Sequence, residues 1–160
     1  MEEKDFLENW RWCNKITIEI LKNTPNNVYF SKPFKNRFKS FAWEFACLLT
    51  TREMYINGFK NNNINKNTKA TSNEEAEKFS KEQIIKELEK TNKSIEKIIK
   101  DNKIKEIKFF GNKTSKLSCI SWLMQHEQLH FGKLMLYCAQ LDIKQSNSLK
   151  IIWGESSFKK

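Results

Sequence analysis

The stretch LSCISWLMQHEQLHFGKLMLYCAQL, residues 117–141, decides the fold. Its apolar residues recur at steps of three and four, the period of an amphipathic helix. Cys119, Leu123, His126, His130, Leu134 and Tyr137 fall on one stripe, which predicts the inward face of a bundle helix. His126 and His130 are the two histidines of the chain. Four residues apart, they share that face and lie ~6 Å apart along the axis. Two imidazoles so placed can hold one metal ion, and neutral imidazole is the commonest protein metal ligand. Burying both without partners would be costly. The same pattern also suits a pair of satisfied core histidines, so both readings stand on spacing alone.

Outward from this helix, the totals bound the class. A chain of 160 residues is enough for one domain with a real core. With only 4 Gly and 2 Pro, it lacks the turns an all-β fold needs, so an all-α fold is expected. The net charge of +10 raises nucleic-acid binding, but of 29 basic residues only Arg11, Arg37 and Arg52 are arginine. Readers of bases and phosphates favour the planar Arg fork, so this composition argues against nucleic acid. The cysteines Cys13, Cys47, Cys119 and Cys138 show no paired spacing. No apolar run reaches transmembrane length and no leader pattern is seen, so a cytoplasmic protein with reduced thiols is expected.

Three more helices read from the pattern. Residues 5–22 carry Phe6, Trp10, Cys13, Ile16, Ile18, Ile20 and Leu21, and stop at the Pro25 and Asn cluster. After an apolar loop with Tyr29, Phe30 and Phe34, Ser40 caps a second helix over 41–56, with Phe41, Phe45, Leu48 and Tyr55 on a stripe and Gly58 as its stop. Residues 57–80 are polar and low in complexity, which predicts a mobile loop. Ser80 and Gln83 form a capping box for a third helix to about residue 100, buried through Ile84, Ile85, Leu88, Ile95, Ile98 and Ile99. Residues 103–110 read as an extended connector into the histidine helix. Four helices with long connections predict a four-helix bundle.

His126-Glu127-Gln128-Leu129-His130 also matches H-E-x-x-H, in which two His bind zinc and the Glu is a general base. A small zincin-type protease needs a third ligand downstream and usually a sheet before the helix. Glu155 is the only late Glu, Leu136 stands where the longer motif has its third His, and no sheet is expected ahead of the helix.

Taken together, KSFAWEFACLLTTREMYI, SWLMQHEQLHFGKLMLYCAQLDI, WRWCNK and IIWGESSF resemble the DinB/YfiT-like superfamily of metal-binding four-helix bundles. The family pattern H-E-x-x-H-x-G is matched by His126, Glu127, His130 and Gly132. A second pattern, close to S-x-x-x-x-F-A-H-x-x-x-x-R, is matched by Ser40, Phe45, Ala46 and Arg52, with Cys47 where the family has a metal-ligand His. The resemblance implies one DinB-like domain over residues 1–160 and a divalent metal at Cys47, His126 and His130. A Cys/His/His set favours zinc, with nickel or iron as alternatives. It further implies a metal-dependent thiol transferase or hydrolase acting on a small molecule, a low-molecular-weight thiol as cofactor, and a homodimer. Glu127 and Arg52 are the candidate catalytic residues, although an interhelix salt bridge explains both. Gly132 reads as a point of close helix approach. The alternative reading makes Cys47 a core filler and the chain a non-catalytic bundle that binds a partner through a lapsed site.

Overall fold

The structure, a computed structural model, describes residues 3–154. Its frame is four long helices: α1 (Glu3–Asn23), α2 (Phe41–Lys60), α4 (Lys81–Lys100) and α5 (Lys116–Gln140). A short α3 (Asn73–Ala76) precedes α4, and α6 (Asn147–Trp153) follows α5 and folds back on α1. Around the bundle the order is α1, α4, α2, α5, each helix packing on the next. The expected all-α bundle is therefore present, built on the stripes that the sequence defines. Phe6, Trp10, Cys13, Ile16, Ile20 and Leu21 of α1 are buried against Phe41, Phe45 and Leu48 of α2, Ile84, Leu88 and Ile95 of α4, and Cys119, Leu123 and Leu134 of α5 in one continuous core.

Helix starts are set by caps. The hydroxyls of Ser40, Ser72, Ser80, Ser115 and Ser146 each accept from the backbone N–H three residues on. Ser80 and Gln83 complete the capping box at α4. The fully satisfied Lys116 closes the other end of that helix: buried, its ammonium donates to the carbonyls of Ile99 and Asp101 and pairs with Glu3 at 2.7 Å.

The connections differ from expectation. Gly58 does not stop α2, which continues to Lys60. A Cβ at Gly58 would lie 2.1 Å from Ile64 Cγ1, so this glycine admits the chain that crosses back over the helix. Residues 57–80 hold a strand, β1 (Asn63–Ile64), and α3. The connector after α4 is a hairpin, β2 (Glu106–Phe109) and β3 (Asn112–Ser115), and β1 pairs parallel to β2 in a three-stranded sheet of order β1-β2-β3. Phe110 and Gly111 turn the hairpin with φ of 45° and 92°. Positive φ at both central residues is the turn that suits strand twist, though Asn, not Phe, usually takes the first place. The expectation of no sheet before the histidine helix is thus corrected: a small one leads directly into α5. Gly132 is also corrected, since a Cβ there would meet nothing within 4 Å, and no close helix approach requires it.

Candidate metal centre

α2 and α5 run antiparallel, as cross-helix contacts show: Glu44 meets Tyr137 and His130, Cys47 meets His126, and Arg52 meets Glu127. Glu44, Cys47, Thr51 and Tyr55 recur at steps of three and four on α2, a stripe directed at α5. The helix register therefore brings the Cys47 thiol to the pair of imidazoles.

The three expected ligands come together. His126 Nε2 lies 3.2 Å from His130 Nε2 and 3.7 Å from Cys47 Sγ, and all three donor atoms lie within 4.8 Å of one another. His130 is buried, whereas Cys47 and His126 are half-buried, so the cluster opens to solvent on one side. A tetrahedral zinc with Zn–N of ~2.0–2.1 Å and Zn–S of ~2.3 Å would separate its ligand atoms by about 3.3 Å (N to N) and 3.5 Å (S to N). The two spacings from His126, 3.2 Å to His130 Nε2 and 3.7 Å to Cys47 Sγ, are close to those values, with both imidazoles offering Nε2. The residues present therefore fit a metal.

Behind His130 stands a carboxylate. Glu44 Oε2 is 2.6 Å from His130 Nδ1, an ion-pair contact that is not an in-line hydrogen bond. Tyr137 O–H donates to Glu44 Oε1 at 3.1 Å, and Lys133 Nζ lies 3.4 Å from Oε2. A carboxylate on the far nitrogen of a ligating imidazole fixes its ring and raises its basicity. Burial opposes the Glu44 charge, but His130, Lys133 and Tyr137 hold its carboxyl below the usual range. His126 has no such support: its Nδ1 is buried without a hydrogen-bond partner among the described residues.

The electrostatics of the cluster are inverted from ordinary values. Burial pushes the Cys47 thiol up, yet hydrogen bonds and charge from His126 and His130 bring it down to about 6. Burial likewise disfavours the His130 imidazolium, but Cys47 and Glu44 outweigh it and raise His130 to about 9. The protein alone holds a thiolate beside an imidazolium. Cys13, Cys119 and Cys138 behave oppositely, with burial pushing their thiols up to about 12, 12 and 11.

Arg52 and Glu127 lie one layer deeper. Both side chains are 0% exposed. The guanidinium donates through Nε to Glu127 Oε1 at 2.7 Å and through Nη2 to Oε2 at 2.8 Å, the bidentate fork favoured for carboxylates. Its Nη1 donates to Asn14 Oδ1 of α1 and to the Leu88 carbonyl of α4. Thr17 O–H donates to Glu127 at 2.7 Å, and the guanidinium carbon sits 4.9 Å over the Trp10 ring. Arg52, itself on α2, thus touches the other three bundle helices. Oε1 of Glu127 accepts from Arg52 and Oε2 accepts from Arg52 and Thr17, so the two residues form an interhelix salt bridge. Glu155, the remaining zincin candidate, lies outside the described residues.

Sequence reasoning passed over Glu44 and Lys133, and placed Tyr137 on the inward stripe without a role at the site. A signal was present: Glu44 is an isolated acid in the apolar run FAWEFAC, one helical turn before Cys47. An acid on an inward face requires a partner.

The DinB family model matches residues 1–145, and the chain belongs to the DinB family. No match was found among curated proteins. Among the described residues no helix is long and apolar enough to cross a membrane.

Proposed function

We propose that this DinB protein binds one divalent ion, zinc first among the candidates, through Cys47, His126 and His130. The observation that carries this is the cluster of one sulfur and two imidazole nitrogens within 4.8 Å of one another, on helices that the bundle holds in register. Three protein ligands with one open side describe a catalytic, not a closed structural, zinc site. The bound ion would act as a Lewis acid and lower the pKa of a thiol or water in the fourth position. On this reading the chain is a metal-dependent thiol transferase or hydrolase of a small molecule. Cys47 and His126 face the solvent side, His130 anchors the back, and Glu44 sets the His130 ring. Arg52 and Glu127 hold α2 and α5 together beneath the site and take no part in the chemistry.

The test compares the zinc-loaded chain with His126→Ala plus His130→Ala, measuring conjugation of thiols to 1-chloro-2,4-dinitrobenzene and hydrolysis of activated esters. Rates above background that depend on the two histidines support the reading. Equal rates in both proteins refute it. The competing reading, a non-catalytic bundle with a lapsed site, draws on Cys47 in place of the family histidine. It predicts that neither protein retains zinc against a weak chelator.

A further inference from the structure

The loop between α1 and α2 is linked to the same centre through Tyr137 and Glu44. It reads SKPFKNRFKS over residues 31–40 and carries Lys32, Lys35, Arg37 and Lys39, with no acidic residue between Glu19 and Glu44. All four cationic residues are exposed, and none has an acidic partner among the described residues. Lysines elsewhere are partly neutralised: on α4, Lys90 pairs with Glu87 and Lys100 with Glu96.

The loop is held at the site by packing. Phe34 and Phe38 each place their rings 6.0 Å from the Tyr137 ring and 5.8 Å from one another. Phe38 adopts φ of 62°, a conformation that a bulky residue holds only when its surroundings impose it. The Lys39 N–H donates to the Tyr137 oxygen at 3.2 Å, Tyr137 donates to Glu44, and Glu44 contacts His130. The unpaired cations are therefore carried on a segment two hydrogen bonds and one ion-pair contact from a metal-ligand imidazole. Lys133, within the site, bears the same sign.

We infer that the loop at 32–39 is the anion-binding half of the site. Its ligand is a small molecule that reaches the Cys47, His126 and His130 cluster with one end and places carboxylates or phosphates on Lys35, Arg37 and their neighbours. This inference rests on the proposed metal centre and adds the charge of its ligand. Unpaired like charges on one short segment repel one another, and a bound polyanion relieves that repulsion.

The test uses the full chain loaded with cobalt(II), whose visible absorption reports a thiol entering the site. Two probes share one thiol arm: coenzyme A, which carries phosphates, and pantetheine, which does not. At low salt coenzyme A should bind about tenfold or more tightly than pantetheine, and high salt should close that gap. Lys35→Glu plus Arg37→Glu should abolish the preference with the cobalt spectrum of the free protein unchanged. Lys93→Glu plus Lys97→Glu, two exposed reversals on α4, should leave it intact. Cobalt uptake with equal affinities for the two thiols overturns the anion site and leaves the metal centre standing. A preference lost equally in both double variants also overturns it, because the attraction is then that of the whole basic surface. Failure to take up cobalt removes the metal centre and this inference together.

Discussion

Replacing Arg52 tests how the bundle carries its site. Arg52→Met removes a guanidinium that reaches from α2 to the other three long helices and leaves the Glu127 carboxylate, 0% exposed, with Thr17 as its remaining partner. Breaking a buried pair from one side costs about 3–5 kcal/mol, because the surviving charge is neither solvated nor paired. Against a domain stability of about 5–15 kcal/mol this is a large fraction. In a chain of this size it lowers Tm by roughly 6–20 °C. Glu127→Leu should cost a similar amount, since the buried guanidinium then loses its carboxylate and keeps neutral partners alone, Asn14, the Leu88 carbonyl, Thr17 and the Trp10 ring. The double variant removes both charges, and Thr17 can still donate to the Cys13 carbonyl. It should be more stable than the sum of the single losses by at least about 2 kcal/mol. Urea unfolding of the four proteins closes the cycle, and metal content is measured on each folded variant. A double variant that folds and still takes up metal fits a structural pair. Single losses below about 1 kcal/mol, or additive ones, refute the reasoning, as buried partners in direct contact must couple.

Further outcomes follow from the same geometry. Glu44→Gln keeps the side-chain shape but withdraws the charge from His130, so zinc affinity should fall about 10–100-fold with little loss of fold, measured by competition with a chromogenic chelator. Zinc affinity should also depend on pH. With Cys47 near 6 and His130 near 9, the metal-free pair near neutral pH is thiolate and imidazolium, and an ion must displace the His130 proton. Affinity should therefore rise with pH up to about 9, with about one proton released from this pair per ion near neutrality and about two below pH 6, when Cys47 is also protonated. Titration in buffers of different ionisation enthalpy counts those protons, and a flat profile contradicts the assignment. Gly58→Ala should destabilise the fold by about 1–3 kcal/mol through overpacking against Ile64, read by thermal melting, whereas Gly132→Ala should stabilise α5 slightly because its Cβ meets open space.

The helices were legible because their signals are local. Serine caps, the period of the apolar residues and the Pro25 break act within a few residues: α2 and α4 begin at the Ser40 and Ser80 caps, and α1 ends before Pro25. The candidate cluster was legible for a similar reason: His126 and His130 are brought to one face by helical spacing, and Cys47 is marked by its place in the family pattern. The sheet was not. β2 (EIKF) alternates over four residues alone, β3 (NKTS) is polar throughout, and their turn uses Phe110-Gly111 instead of Asn-Gly. Their stability comes from contacts distant in sequence, Phe109 packing on Trp122 at 4.8 Å and on Tyr55 at 6.1 Å. Gly58 misled because a glycine that admits a crossing chain looks the same as one that ends a helix. The Glu44 relay was hidden because its partners, His130, Lys133 and Tyr137, lie on another helix, and only the antiparallel register of α2 and α5 unites them. Sequence did anticipate a salt bridge for Glu127 and a helix carboxylate for Arg52, but not that they are each other's partners or that the pair fastens all four helices.

The metal centre itself is tested most directly by elemental mass spectrometry of the purified chain, prepared without a polyhistidine tag or chelator. The arrangement of Cys47, His126 and His130 predicts about one divalent ion per chain, zinc foremost, and its loss in His126→Ala plus His130→Ala. Cys47→Ala should retain less metal than the parent chain. No bound metal after reconstitution with zinc, in a protein that is folded, would contradict the account and leave the cluster a thiolate–imidazole pair at the edge of the core.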